Sequence, residues 1–379
     1  MVRVVAKVLV GLVVAAVCGG CATTRNAGES RPANWQWPGR QSSPSDTIPA
    51  AEPVPLTTPA HEPGATAVSP PPTASRSGLV ALRDWVAGEG LAAPAQSPSK
   101  AGAFNVGSPN GRLWLEANNN VVRWDGMEVH LGFPPVLVRN QLYLKIEDIR
   151  STIQPLLCGA PPVFARGQTV VLDPGHGGAD SGARCVAGGY EDEYTLDWAL
   201  RLRDLLMADG WRVVLTRSTD TEVTLSNRVA LADAENADLF LSLHFNSSVS
   251  DKAGLETYCL TPAGVPSTLT RGYSDELNET LPNNSFDASN IFVAMKLHSA
   301  LLKVNGRLDR GIRRARFVAV LRTQNRPAVL IEGGYLSNPV EARRIASAAH
   351  RQELARALAE ALRPLLIPAD QNSTILSGQ

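Results

Sequence analysis

Three apolar runs in this chain end in side chains that an apolar run does not need. Val170–Leu172 leads into Asp173, Pro174, Gly175, His176, Gly177 and Gly178. Leu239–Leu241 leads into Ser242, Leu243, His244, Phe245 and Asn246. Ala328–Ile331 leads into Glu332, Gly333 and Gly334. A fourth polar cluster, Glu191, Asp192 and Glu193, opens a stretch of helical spacing. Two histidines and one carboxylate, with one coordination position left open, make a catalytic zinc set. Such a centre polarises a carbonyl and makes water nucleophilic near neutral pH. Each piece alone has an ordinary explanation. An acidic first turn suits the helix dipole, and a single histidine at a strand end is more often structural. The convergence of several such ends weighs against both.

Convergence follows from the elements that carry these residues. In an open α/β sheet the carboxyl ends of the strands form the ligand crevice. From residue 167 onward strand and helix patterns alternate. Helical spacing appears over 191–208 (Leu196, Ala199, Leu200, Leu202, Leu205 and Leu206), over 224–236 (Leu225, Val229 and Leu231), and over 286–304 and 351–363. Between them WRVVLTR, DLFLSLHFN, GLETYCL, FVAVLR and AVLIEGGYL read as strands. This order predicts an α/β domain: a mostly parallel twisted sheet flanked by helices on both faces.

The motifs VVLDPGHGGADSGA, Glu191 with Leu196 and Ala199, LTR, Arg228 with Leu231 and Ala232, ADLFLSLHFNS and RPAVLIEGGYLSNPVEA resemble the zinc-dependent N-acetylmuramoyl-L-alanine amidases, over about 167–366. The resemblance implies one zinc ion held by His176, Glu191 and His244, with Glu332 as the catalytic acid/base. It also implies cleavage of the amide between the muramic acid lactyl group and L-alanine of peptidoglycan, in wall remodelling or daughter-cell separation, and it leaves room for an activator protein. Asp192 stands where a lysine often follows the ligand glutamate, and Glu193 is a near neighbour; the helical spacing of Leu196 and Ala199 favours Glu191. Asp173 is read either as a hydrogen-bond partner of His176 or as a turn former before Pro174. Arg217 and Arg228 are read as structural in preference to binding the anionic stem peptide. Two other readings stand beside the amidase: a non-catalytic peptidoglycan-binding protein, and a zinc peptidase acting on another stem-peptide amide.

The rest of the chain places this domain. Net charge is zero and charged residues are 19% of 379, so no broad basic face points to nucleic acid. Arg3 and Lys7 precede an apolar run, Val8–Val17, whose length of about ten residues suits an export signal and is too short to span a bilayer. Gly19, Gly20 and Cys21 resemble a lipoprotein cleavage site, with Cys18 where an aliphatic residue is usual. Residues 1–21 are therefore expected as the signal, with Cys21 lipidated and the protein held at a membrane, in the periplasm or cell envelope, only through that anchor. Residues 22–103, mostly rich in Pro, Ser, Thr and Ala, are expected as a disordered linker, with a short amphipathic helix over 78–92. Alternation at Leu113/Leu115, Val122/Trp124 and Val129/Leu131, with turns at Asp125-Gly126 and Arg139-Asn140, predicts a small α+β accessory module over 104–160. It is similar to the small repeat beside copper amine oxidases, without a copper site. The cysteines beyond the signal, Cys158, Cys185 and Cys259, give no disulfide framework and are expected as buried thiols, with a Cys158–Cys185 bridge in an oxidising compartment as the alternative. His130, His298 and His350 are read as ordinary residues, the last two at the surface. Residues 261–290 are read as an insertion lining the substrate groove, with autoinhibition as the alternative, and 367–379 as a flexible tail.

Overall fold

A computed structural model describes residues 78–165, 167–248, 252–269, 275–306 and 308–367. The signal with Cys21, the linker as far as 77, and 368–379 lie outside the described residues. Among the described residues no helix is long and apolar enough to cross a membrane.

The accessory module begins earlier than its composition suggests. β1 (Leu79–Ala81) and α1 (Leu82–Gly88) are followed by β2 (Ala95–Gln96), β3 (Ala103–Ser108), β4 (Gly111–Glu116), β5 (Val121–Trp124), β6 (Met127–His130), β7 (Val136–Val138) and β8 (Gln141–Lys145). A helical segment closes it: α2 (Ile146–Asp148), a π turn (Ile149–Ile153) and α3 (Gln154–Cys158). β1 pairs antiparallel with β8, Leu79 opposite Lys145, and α1 buries Leu82, Trp85 and Val86. Residues 79–88, expected within the linker, are instead part of the fold, because their apolar side chains are buried in its core. The predicted turns are present: Asp125 and Gly126, and Arg139 and Asn140, all take positive φ, as two-residue hairpin turns require.

The second domain is built from β9 (Phe164–Ala165), β10 (Thr169–Pro174), α4 (Glu191–Asp209), β11 (Arg212–Leu215), α5 (Leu225–Ala234), β12 (Leu239–Asn246), β13 (Leu255–Cys259), α6 (Asp287–Val304), β14 (Asp309–Arg314), α7 (Ala319–Arg322), β15 (Ala328–Tyr335), α8 (Pro339–Ala346), α9 (Ala348–Leu362) and β16 (Leu366–Ile367). β11, β10, β12 and β15 lie parallel in that order; β13 then runs antiparallel to β15, and β14 parallel to β13. β6 of the module pairs with β14, Val129 opposite Ile312, so one sheet of 11 strands runs from β11 through to β2. FVAVLR, read as a strand, is instead the short helix α7 over its last four residues. There Val320 and Leu321 bury against the sheet face that α5 shares, which decides the matter over their strand propensity.

Side chains alternate between the two faces of each strand. On one face Leu239, Leu241, Leu243, Phe245, Val329 and Ile331 pack with α4, α6 and α9. On the other, Val171, Phe240, Leu330 and Tyr258 pack with Ala232 of α5 and Val320 of α7. α5 and α7 are short, 10 and 4 residues. Continuing the alternation, Asp173, Ser242, His244, Asn246, Glu256 and Glu332 fall on this second face, toward the carboxyl ends of β10, β12 and β15. The catalytic candidates therefore occupy the part of the face that two short helices leave to polar side chains.

The segment 261–290 is placed elsewhere. β13 runs antiparallel to β15, so the chain leaves Cys259 at the end of the sheet opposite Glu332. Asn283 donates from Nδ2 to the carbonyls of Gln324 and Arg326, which precede β15, and Asn284 donates to that of Thr261. Arg326 is six residues before Glu332, about 20 Å along a strand. The described residues of this segment neither line a groove at Glu332 nor cover it.

Candidate functional site

His176 sits just beyond β10, in the loop that crosses the top of the sheet. Its φ of 62° is left-handed, a conformation that costs a non-glycine residue about 1 kcal/mol or more and persists where surroundings enforce it. Here they do: the isolated bridge between Gly177 and Asp180 folds the loop back. That bridge brings the Asp180 carboxylate to 2.8 Å from His176 Nδ1. With Nδ1–H held by a carboxylate, the Nε2 lone pair is presented on the other side of the ring.

Nε2 of His176 is buried without a hydrogen bond and lies 3.2 Å from Glu191 Oε2. His244 Nδ1 lies 3.0 Å from the other oxygen, Oε1. Glu191 is the first residue of α4 and is fully buried, and its Oε1 and Oε2 also accept from the amides of Phe245 and Ala183. The imidazole rings are 5.0 Å apart between centroids and nearly perpendicular, at 79°. The three donor atoms, two nitrogens and an oxygen, all lie within 4.8 Å of one another. One ion with bonds of about 2 Å to such donors bridges that span after small side-chain adjustment. The residues fit a zinc ion: donor type, donor number and a buried imidazole nitrogen left over for it.

The charges in the cluster set one another. Burial alone would raise the Glu191 carboxyl, but the flanking imidazoles hold it well below the usual carboxylate range. Burial works against a charged His176, yet Glu191 and Asp180 carry it up to about 10, so an ion bound at Nε2 would displace a proton. An anion clasped between two imidazoles is the charge pattern a dication would stabilise. Between the two neighbouring acids, the structure puts Glu191 in the cluster and leaves Glu193 partly exposed, outside it.

Glu332 is fully buried and stands on β15 directly beside His244 of β12 in the register. On its other side it is paired with Glu256 of β13. Sequence reasoning did not single out Glu256. It accepts from Asn246 Nδ2 at 2.9 Å, Tyr258 OH at 2.7 Å, Arg310 Nε at 2.7 Å and Tyr335 OH at 3.2 Å. Burial would raise its pKa, but Arg313, Tyr258 and Arg310 lower it instead, so it is a fixed anion beside the site. Its one sequence signal was a glutamate inside an otherwise uncharged strand, LETYC.

Several expectations are corrected beneath the cluster. Asp173 does not bond His176; Thr216 Oγ1, Ser242 Oγ and Arg228 Nη1 donate to it at 2.7, 2.7 and 2.6 Å. Asp180, not Asp173, is the carboxylate on His176. Arg228 also donates to the carbonyls of Pro174 and His176, and Arg217 to those of Pro174, Gly175 and Asp192. Both arginines are buried braces of the His176 loop, in line with the structural reading. His298, expected at the surface, is fully buried between Thr257 Oγ1 at 2.9 Å and Asp309 Oδ1 at 3.0 Å. α6 is covered by the sheet on one side and α9 on another, so few of its positions remain outside. His350 is buried as well, at 8% exposure. Cys158, Cys185 and Cys259 are free thiols, and Cys158, expected buried, is exposed.

A family model described as N-acetylmuramoyl-L-alanine amidase matches residues 170–364. The chain is 34% identical over 215 residues to the N-acetylmuramoyl-L-alanine amidase AmiA of Escherichia coli (strain K12), covering 51% of this chain and 74% of that one. It is 32% identical over 216 residues to the uncharacterized protein YqiI of Bacillus subtilis (strain 168), covering 57% and 92%. Among solved structures, the catalytic domain of CwlV, an N-acetylmuramoyl-L-alanine amidase from Bacillus (Paenibacillus) polymyxa var. colistinus, is 32% identical with a TM-score of 0.44, covering 52% of this chain and 97% of that one.

Proposed function

Since the chain belongs to the N-acetylmuramoyl-L-alanine amidase family, we propose that it is a zinc-dependent hydrolase of the amide joining the lactyl group of muramic acid to L-alanine in peptidoglycan. The observation that carries this reading is the cluster of His176, Glu191 and His244 with Glu332 on the adjoining strand position. His176 Nε2, a Glu191 carboxylate oxygen and His244 Nδ1 would hold the ion. Bound there, zinc supplies Lewis acidity toward the scissile carbonyl. The protein's own groups do the remaining work. The Glu332 carboxylate takes a proton from the attacking water and delivers it to the leaving amine nitrogen, which must be protonated before the C–N bond breaks. Asp180 holds the proton on His176 Nδ1 throughout, so that Nε2 stays a donor.

Export, a lipid anchor at Cys21 and residence in the cell envelope belong to the same proposal. Their support is the basic start, the apolar run and the Gly19-Gly20-Cys21 sequence. Loss of labelled fatty acid from a Cys21→Ala variant tests the anchor.

The direct test is digestion of purified peptidoglycan by the full chain with zinc, and again after chelation, followed by mass spectrometry. Release of stem peptides with a free L-alanine amino terminus, abolished by chelator and restored by zinc, is the expected result. Products cut within the stem peptide would replace the amidase reading with the peptidase one. Binding without any cleavage would favour a wall-binding protein.

A further inference from the structure

Arg217 and Arg228 are both engaged beneath the cluster, by the backbone of the His176 loop and by Thr195 and Asp173. A different arginine, Arg310 of β14, is bonded to Glu256, the neighbour of Glu332. β13 and β14 pair regularly except at one point. Leu255 is opposite Asp309, but Thr257 is opposite Ile312, so β14 carries one residue more than its partner. This is a β-bulge, a device that re-aims a side chain. Gly311 lies in it with φ of 88°, and a Cβ there would stand 2.8 Å from the His130 ring. In an unbulged strand Arg310 and Arg313 would face opposite ways. The bulge turns both to Glu256, at 2.7 Å and 3.4 Å.

The guanidinium of Arg310 is held by two neighbours. Its Nε donates to Glu256, and it lies 5.4 Å from the centre of the Tyr335 ring. Glu256 is the cross-strand partner of Glu332 on the same face, so Arg310 is fixed one side chain away from the proposed acid/base. The arginine still keeps 28% of its side chain exposed, whereas Glu256 keeps 5%. Glu256 and Tyr335 engage only part of the five N–H donors of a guanidinium. A planar fork held in place in advance on a partly exposed side chain suits a bidentate contact to a carboxylate.

We propose that Arg310, aimed by the bulge at Gly311 and held by Glu256 and Tyr335, binds a carboxylate of the substrate's stem peptide beside the scissile amide. The inference rests on the amidase reading and adds the substrate group that the site recognises. Two sources share this chemistry, the acidic residue after L-alanine and the diamino acid or its equivalent after that. Glu256 is a positioning residue in this scheme: it never meets substrate, and it sets the plane and edge of Arg310.

The test uses the full zinc-loaded chain, its Arg310→Ala and Arg310→Lys variants, and muramoyl peptides in which the second-residue or third-residue carboxylate is free or amidated, one at a time. Turnover of the fully acidic peptide by the unaltered chain tests the amidase reading separately. Calorimetric titration of the same peptides reads the contact even where nothing is cleaved. Loss of one charge-assisted contact should weaken binding about 10- to 100-fold. Arg310→Ala is expected to raise KM or Kd by that factor on the acidic peptide, with kcat changed far less. Amidating one of the two carboxylates should cost the unaltered chain the same factor and the variant nothing, and which one does so identifies the source. Arg310→Lys should recover part of the loss. An equal loss on acidic and amidated peptides would mean a merely structural arginine and overturn the proposal. So would an unaltered chain indifferent to both amidations.

Discussion

Gly175 offers a clean way to move one candidate ligand without touching it. The residue precedes His176 and is absent from the positions with positive φ, so alanine suits its backbone. Space is the obstacle. A Cβ at Gly175 would stand 2.2 Å from Cε1, 2.4 Å from Nε2 and 2.5 Å from Nδ1 of His244. Ordinary carbon contacts begin near 3.5 Å, so about 1.3 Å must be found. The backbone cannot supply it easily. Gly175 donates to the carbonyl of Leu243 at 3.0 Å, and its own carbonyl accepts from Thr195 and Arg217, each at 2.8 Å. The His244 ring must give way instead, and with it the 3.0 Å contact to Glu191. Misplacement of about 1 Å at a reacting centre costs on the order of 100-fold in rate, and overpacking costs about 1–3 kcal/mol of stability. Gly175→Ala should therefore stay folded, bind zinc at least tenfold more weakly and turn over peptidoglycan about 100-fold more slowly. Calorimetric zinc titration, a thermal melt and release of alanine-ended peptides measure the three. A variant with unaltered zinc affinity and turnover would refute the placement of His244 in the metal set.

Neighbouring residues give further expected outcomes. Glu332→Gln should retain zinc and fold while losing about 100-fold to 10,000-fold in kcat, and an active variant would remove Glu332 from its role. Asp180→Asn should weaken zinc binding about 10- to 100-fold through loss of the carboxylate on His176, read by competition with a chromophoric chelator. Asp173→Ala leaves the buried Arg228 without its carboxylate and should destabilise the fold by about 3–5 kcal/mol, seen in denaturant melts at pH 7. Its pH dependence has a definite sign. Burial raises the Asp173 carboxyl, but Arg228, Thr216 and Ser242 together leave it below the ordinary value, so its stabilisation is present above the unfolded pKa of about 4 and fades as pH falls through the folded one. The gap between the unaltered chain and the variant should accordingly close in acid; a gap that widened there would contradict the assignment.

The chemistry was more legible in the sequence than the directions of the strands that carry it. Asp173, His176, His244 and Glu332 stood out because each follows an apolar run too buried to need it. That signal depends only on local pattern, and it survives ignorance of topology. Topology itself was hidden. No composition distinguishes β13 running antiparallel to β15 from a parallel neighbour, and that one reversal carries the 261–290 segment to the opposite end of the sheet. Asp180 was missed because its place depends on the left-handed turn at His176, which no periodicity reports. Arg310 was missed because a bulge overrides the alternation that strand patterns assume. α1 was seen as a helix but assigned to the linker, since its three apolar side chains have a purpose only once the module's core is known.

The pairing of β6 with β14 has a consequence for how the chain can be cut. Catalytic sheets of this kind have two edges, and here the accessory module closes one of them. Besides the strand register, Glu128 N donates to Asp309 Oδ2 at 2.8 Å and Arg314 Nη2 to the Ser151 carbonyl at 2.9 Å. Asp309 also holds His298 in the core of α6, so the seam reaches into the interior. Removing the module would bare the backbone donors and acceptors of β14, a template for strand addition by another molecule. It would also take from the buried Arg314 two of its acceptors, the Ser151 carbonyl and Thr152 Oγ1. The two parts should therefore melt as one cooperative unit, and a fragment begun near residue 160 should be prone to self-association however intact its active residues remain.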